Sequence, residues 1–166
     1  MTITNDGGVG DKPLSQDTSD ENVSATAVVA FETRENRWAI ETRYVTGVRL
    51  RQVVTPLPGS ERHVLGCLDV VGSIIPVFCL AELLGMPHDQ ADLDTCDMVL
   101  LGENRPEFAL QFMGACSYVR VLDELITYRS PDTFPEAGWV KGTLQNGTII
   151  LNGSALLDDG SFVLGQ

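Results

Sequence analysis

Catalysis needs a nucleophile, an acid, a base or a metal-ligand set, and this chain of 166 residues supplies few of them. Its two histidines, His63 and His88, stand in polar, loop-like stretches beside proline or charged residues, where solvent exposure is the ordinary outcome, so neither is read as a catalytic base. No G-x-S-x-G elbow, H-E-x-x-H pair or G-K-[ST] loop occurs. The glycine-rich Gly7-Gly8-Val9-Gly10 has no strand pattern before it and no helix pattern after it, which excludes a phosphate loop. Asp89, Asp92, Asp94 and Asp97 are rich in oxygen, but Cys96 falls where a calcium loop needs its third oxygen ligand and no glycine follows for the sharp turn. They read as a solvated acidic loop. Cys67, Cys79, Cys96 and Cys116 are far apart, form no C-x-x-C pair and lie mostly in apolar segments, so they read as small buried hydrophobes. The inventory describes a protein without catalysis, metal or cofactor.

Charge narrows the partners. The formal net charge is −12, and phosphate binding requires a concentrated positive footprint that such a field opposes, so nucleic acid is excluded as a partner. The cations gather early, at Arg34, Arg37, Arg43, Arg49, Arg51 and Arg62, while Glu82, Asp89, Asp92, Asp94, Asp97, Glu103 and Glu107 make an acidic middle. Both clusters read first as solvated surface, with a basic face that steers toward an acidic protein as the alternative. The longest apolar run, from Val70 to Ala81, is about a dozen residues and contains Gly72 and Pro76, short of the roughly 20 that a membrane helix needs. The N-terminus has no basic start followed by an apolar run, so the expectation is a cytoplasmic protein with reduced thiols.

The elements that would carry any site are short and β-like. Met1 to Ser24 holds few large apolar side chains and is expected to be a flexible acidic tail, leaving residues 25–166 as one domain. From Thr26 onward, β-branched and aromatic runs alternate with turn residues every eight to twelve positions or so, an all-β pattern. Ala27–Phe31 and Trp38–Ile40 are the first two strands, and Val45–Leu50 the third. Leu65–Leu80 holds two more, broken at Gly72-Ser73, and forms the expected core. Leu80–Leu84 reads as a helical turn stopped by Gly85 and Pro87. Met98–Leu101 and Phe108–Phe112 form a hairpin across the turn chemistry of Gly102–Pro106, and Tyr118–Leu122 adds a strand. Trp139–Leu144 and Thr148–Leu151 flank Asn146-Gly147, a hairpin signal that predicts positive φ at both central residues. Leu156-Leu157 sits in a closing helical turn. About nine or ten strands in all favour a barrel or a sandwich. Gly66 and Gly72 bracket Cys67–Val71, and glycine inside strand patterns marks local turn geometry or the close approach of a second backbone, a partner's included.

These residues carry a resemblance. The stretch Val64-Leu65-Gly66-Cys67-Leu68-Asp69-Val70-Val71-Gly72-Ser73-Ile74-Ile75-Pro76-Val77-Phe78-Cys79-Leu80 resembles the hallmark segment of CheW-like domains, in which a glycine precedes an N-x-R-G type turn and an apolar run follows through Pro-Val to a leucine. Phe31, Trp38-Ala39-Ile40-Glu41 and Val45 resemble the family's opening strands, and Gly142 with Ile149-Ile150-Leu151-Asn152 through Leu156-Leu157 its closing hairpin and terminal turn. The resemblance implies two packed five-stranded SH3-like β-barrel subdomains. It also implies a chemotaxis adaptor without enzymatic activity or cofactor, coupling the cytoplasmic tip of methyl-accepting chemoreceptors to the regulatory domain of the histidine kinase CheA. Such a protein meets the membrane only through its partners. In the family, the positions matching Val45, Gly66 and Gly72 lie at or near the receptor-facing groove.

The chain departs from that pattern where the family forms an ion pair. Val71 replaces the turn arginine, Asp69 the asparagine, and Gly47 the glutamate that many members carry. Losing one partner of a buried pair costs about 3–5 kcal/mol, whereas losing both can be nearly neutral, so a stable fold is still expected. Phe112-Met113 stands where the family has a Val-Asp pair. Two other functions fit the same residues: an adaptor for a parallel chemosensory system such as pilus-based motility, and a small-ligand-binding β-barrel with a groove made apolar by Cys67, Cys79 and Val71.

Overall fold

The computed structural model describes residues 23–34, 36–83, 95–128 and 138–159. Most of the tail, His88, the acidic positions Asp89, Asp92 and Asp94, and the Pro-rich connection from Ser130 to Pro135 lie outside the described residues.

Eleven strands are present among the described residues. In chain order they are β1 (Ala25–Glu32), β2 (Arg37–Glu41), β3 (Val45–Gln52), β4 (Val64–Val70), β5 (Ser73–Phe78), β6 (Cys96–Leu101), β7 (Phe108–Phe112), β8 (Cys116–Leu122), β9 (Thr127–Tyr128), β10 (Val140–Thr143) and β11 (Ile149–Leu151). Two short helices, α1 (Leu80–Leu83) and α2 (Gly153–Asp158), complete the set. The strands form two sheets, β9-β10-β11-β2-β1-β8 and β3-β6-β7-β5-β4, so the second sheet is inserted whole between β2 and β8 of the first. Pairing is antiparallel except where β11 meets β2 and β5 meets β7.

Neither sheet closes into a continuous barrel, yet both curl toward closure. In the second sheet the chain just past β3 returns to the far edge, where Thr55 and Cys67 exchange two N–H···O bonds of 2.9 Å. In the first, β8 turns through a single 3₁₀ turn, Asp123–Leu125, into β9 at the opposite edge. This is how each sheet limits its exposed edges.

Strand alternation distributes the apolar side chains over three cores. Val29 and Phe31 of β1 and Trp38 and Ile40 of β2 point outward from the first sheet, and they meet Phe78, Val99, Leu101, Phe108 and Leu110 of the second. Phe31 packs on Phe112 with ring centroids 6.1 Å apart, and Phe78 meets Phe108 edge to face. Replacing one of these rings by alanine is expected to cost about 3–5 kcal/mol. The buried Trp38 indole donates to Thr33 Oγ1 at 3.0 Å, so no polar cost is left behind. Leu68, Val70, Ile75, Val77, Met98 and Leu100 cluster on the second sheet's face turned away from the shared core, and Val28, Ala39, Val121, Ile126 and Ile150 on the corresponding face of the first. Strands buried on both faces lose the clean in-out alternation, which is why the 64–80 segment reads as an almost unbroken apolar run.

The last hairpin corrects one expectation. Of Asn146 and Gly147 only the glycine has positive φ, at 91°. Gly147 N–H donates to the Leu144 carbonyl and Leu144 N–H to the Thr148 carbonyl, both at 2.9 Å, which makes a three-residue loop ending in a glycine rather than a two-residue turn. Thr127–Tyr128 is too short for any periodic signal, and α2, which contains the expected Leu156-Leu157 turn, starts at Gly153 because the Asn152 carboxamide accepts from Ala155 N–H at 3.1 Å.

The start of β1 is tied to the β8–β9 corner by Asp123, which accepts from the hydroxyls of Ser24 and Thr26 and whose N–H donates to the Ser24 carbonyl. Those hydroxyls, Ser24 first, hold its carboxyl below the ordinary 3.8. A depressed folded pKa gives stability that is complete above the unfolded value and is lost as pH falls through the lower folded one. Thermal melts should therefore show Asp123→Asn destabilised at about pH 6, with the gap to the unaltered protein closing toward about pH 3. An equal gap at both pH values would assign the loss to something other than this carboxylate.

Candidate functional site

The residues singled out in the sequence converge on the β3 and β4 edges of the second sheet and on the turn that follows β4. Val70 pairs with Ser73, which leaves Val71-Gly72 as a two-residue hairpin loop. Both take positive φ, 49° and 84°, the geometry of a type I′ turn. Asp69 fixes it, its carboxylate accepting from Gly72 N–H at 2.8 Å. Glycine meets this demand freely. Val71 does not, because a β-branched side chain in the left-handed region crowds its own backbone, a strain of about 1–3 kcal/mol. The strain is not repaid by packing, since Val71 is 93% exposed.

Gly66 answers a different need. β4 bulges between Val64 and Gly66, and a Cβ on Gly66 would stand 2.3 Å from the Thr55 carbonyl oxygen. The close approach read from the glycine is thus made by the chain's own backbone, at the bridge that draws the second sheet toward closure, and Gly66 is buried beneath it. Val45 opens β3 opposite Leu101, half-buried and packed against the shared core. Gly47 faces Leu100, where a Cβ would meet only Leu100 Cδ1 at 3.8 Å, so the position has room for a side chain. Phe112 is buried against Phe31 in the shared core, and Met113 N–H donates to the Glu32 carbonyl. Of the predicted positions, then, Gly72 and Val71 are open to solvent while Val45 and Gly66 shape the surface from beneath.

Sequence reasoning missed the surface itself. Leu50 is 58% exposed, Val53 71% and Ile74 62%, at the end of β3, just past it and at the start of β5. Arg49 and Arg51 flank Leu50 and are exposed beside it. Ile74 was hidden by the apolar run it belongs to, although its neighbour Ile75 is buried on the opposite face. Arg51 also has positive φ, 51°, at a bulge where its N–H donates to Asp97 Oδ1 at 2.8 Å, and this turns β3 locally. Next to Ile74 a groove of about 480 Å³ opens between β5, Arg105–Phe108 and the end of α2 at Leu157 and Asp159. Cys67, Cys79 and Val71 do not line it.

The remaining candidates have structural roles. His63 is not the exposed histidine expected: its ring stacks on Phe78 with centroids 6.0 Å apart, and Nδ1 lies 3.5 Å from Glu61. Cys79 is buried, Cys67, Cys96 and Cys116 are half-buried, and all are free thiols. Burial pushes the thiols of Cys79, Cys96 and Cys116 up, which lowers their nucleophilicity. Part of the basic cluster is neutralised locally, Arg37 by Glu32 at 3.1 Å, Arg43 by Glu41 at 3.4 Å and Arg62 by Glu82 at 3.1 Å. Glu41 also holds Lys141 at 3.6 Å. Among the described residues no helix is long and apolar enough to cross a membrane.

Two substitutions test this reading of the edge. Val71→Asn supplies the residue a type I′ turn prefers and should raise stability by about 1 kcal/mol in denaturant melts, since no packing is lost. Gly66→Ala should lower it by about 1–3 kcal/mol, because the new methyl displaces the Thr55 carbonyl. A destabilised Val71→Asn would show that the valine is held by a contact rather than strained.

Comparison with known proteins agrees with this architecture. "Chemotaxis protein CheW" of Thermotoga maritima is 35% identical over 63 residues, 38% of this chain and 42% of that relative, so the match spans less than half of the relative's length. The scaffolding protein TtCheW from Thermoanaerobacter tengcongensis shares the fold, with a TM-score of 0.70 at 18% identity over 85% of this chain and 99% of that one. The family model for the CheW-like domain matches residues 27–161, the two sheets and α2 included, and the chain belongs to that family.

Proposed function

We propose that this chain is a non-catalytic chemotaxis scaffold that joins the cytoplasmic tip of a methyl-accepting chemoreceptor to the regulatory domain of the kinase CheA, and that it does so through the Leu50, Val53, Val71 and Ile74 surface. Family membership supports the scaffold role, and the names of the two relatives point the same way. The observation that carries the surface assignment is the turn at Val71: an apolar side chain kept in a strained backbone conformation and almost wholly exposed is a cost to the free protein that a partner can offset. Exposed apolar residues with arginines beside Leu50 suit a protein interface, and Arg49 and Arg51 favour a partner with acidic groups beside its apolar contact. Val45, Gly66 and Gly72 serve this surface by placement: Val45 anchors β3, Gly66 permits the bridge to β4, and Gly72 closes the turn that presents Val71. The Gly47 and Val71 substitutions remove both halves of the family's ion pair, so the surface binds without it.

Titration of the purified chain with a receptor cytoplasmic fragment, and separately with a CheA regulatory domain, should give micromolar binding to both. Ile74→Lys should weaken at least one of the two about tenfold, about 1.4 kcal/mol, without unfolding the chain. Gly47→Glu combined with Val71→Arg restores the family's pair but removes the valine contact, and should weaken at least one of the two about threefold or more. Binding to neither partner, regained in that double variant, would mean that the scaffold role depends on the pair and has been lost in this chain.

A further inference from the structure

The outer edge of the first sheet is left open along β8. Among the described strands β8 has β1 as its only neighbour, and the pairing runs without a shift from Leu122 to Cys116. At its two ends Asp123 N–H donates to the Ser24 carbonyl and Glu32 N–H donates to the Ala115 carbonyl, so the odd-numbered residues turn their backbone groups toward β1. Successive residues of a strand point these groups to opposite sides, and Tyr118 and Arg120 therefore turn theirs outward, where no described residue bonds to them.

The other edges are protected. β9 has only two residues, β3 is bulged between Val45 and Gly47 and between Arg49 and Gln52, and β4 is bulged before Gly66 and bridged to Thr55. β8 has seven residues, no proline, no lysine and no bulge, and Arg120 is its single charge. Its middle is open on both faces: Tyr118 is 71% and Val119 43% exposed, with Ser117 and Arg120 exposed beside them. Ser117 and Val119 line an open groove of about 310 Å³ with Leu144 and Asn146 of the β10–β11 loop.

An unprotected edge accepts another strand, and the strand that β8 fits is its own copy. Outward backbone groups meet outward groups only where even-numbered residues stand opposite even-numbered ones. A two-fold axis at Val119 satisfies this and sets Tyr118 opposite Arg120 of the second copy, so that each guanidinium meets a tyrosine ring. An axis at Tyr118 would also satisfy it, but would set Arg120 opposite Cys116 instead of a ring. With the axis at Val119 the two valines face each other at the close, non-hydrogen-bonded position on the groove side. Every exposed group in the middle of β8 then has its counterpart on β8 itself, which is what a two-fold interface requires.

We propose that β8 pairs antiparallel with β8 of a second copy, joining two first sheets into one continuous sheet about an axis at Val119. The net charge of −12 opposes association, so the pairing is weak and reversible. The edge lies on the first sheet, whereas Leu50, Val71 and Ile74 belong to the second and its turn, so the pairing does not depend on the scaffold role.

Sedimentation equilibrium of the full chain from about 10 μM to about 1 mM should show monomer and dimer in exchange, with a Kd inside that range. Tyr118→Pro removes an outward N–H and no bond to β1, and should raise the Kd about tenfold or more while circular dichroism shows the chain still folded. Tyr118→Lys, a change at an exposed side chain that sets two cations opposite each other, should do the same. Under mild oxidation Val119→Cys should cross-link two chains through residue 119, because facing residues at that position have Cα atoms about 4.5 Å apart. Ser117→Cys should not, since its two copies lie about 14 Å apart along the strand. A monomer at the highest concentration would overturn the proposal. So would a dimer that neither Tyr118 variant weakens, or cross-linking as ready at Ser117→Cys as at Val119→Cys.

Discussion

The core shared by the two sheets is the constraint on which everything else rests. Phe31, Trp38 and Ile40 from one side and Phe78, Phe108 and Phe112 from the other are buried there, and the chain reaches this layer from both halves because the second sheet is inserted between β2 and β8. An insertion of this kind folds only if both sheets turn an apolar face to each other, so each strand that contributes must be apolar on one face for the shared layer and on the other for its own barrel. Free energy is concentrated in the middle layer, where the aromatic rings meet. The faces turned away from that layer are then free to differ, and they do: leucine, valine and methionine pack on one sheet, while valine, isoleucine and a single alanine pack on the other.

The same layering explains what could be read from the sequence and what could not. Strand positions followed from β-branched and aromatic runs punctuated by turn residues, and the hairpins β1–β2, β6–β7 and β10–β11 followed from local turn chemistry. Such features depend on neighbours in sequence. The division into two sheets depends on non-local pairings, the parallel contact of Ile149 with Trp38 and of Val77 with Ala109, for which periodicity carries no signal, and only the family resemblance supplied it. Burial on both faces also hid the surface. Ile74 and Ile75 look alike in sequence, yet one is buried and the other open to solvent, because the first precedes the point where β5 becomes covered. The glycines were legible as constraints but not as to their cause: Gly66 makes room for Thr55 within the chain, while Gly72 completes a turn.

Consistency between local preference and global fold is the rule in a stable domain, and the sites where it fails are where function is to be sought. One such failure stands out. At Val71 the backbone prefers asparagine or glycine and the solvent prefers a polar side chain, yet valine occupies the position; the conflict lies at the surface, where only a second molecule can resolve it. An asparagine at residue 71 would have cost nothing in packing. The layer that the two sheets share contains no such conflict, and it holds the strained turn in place at the end of the second sheet.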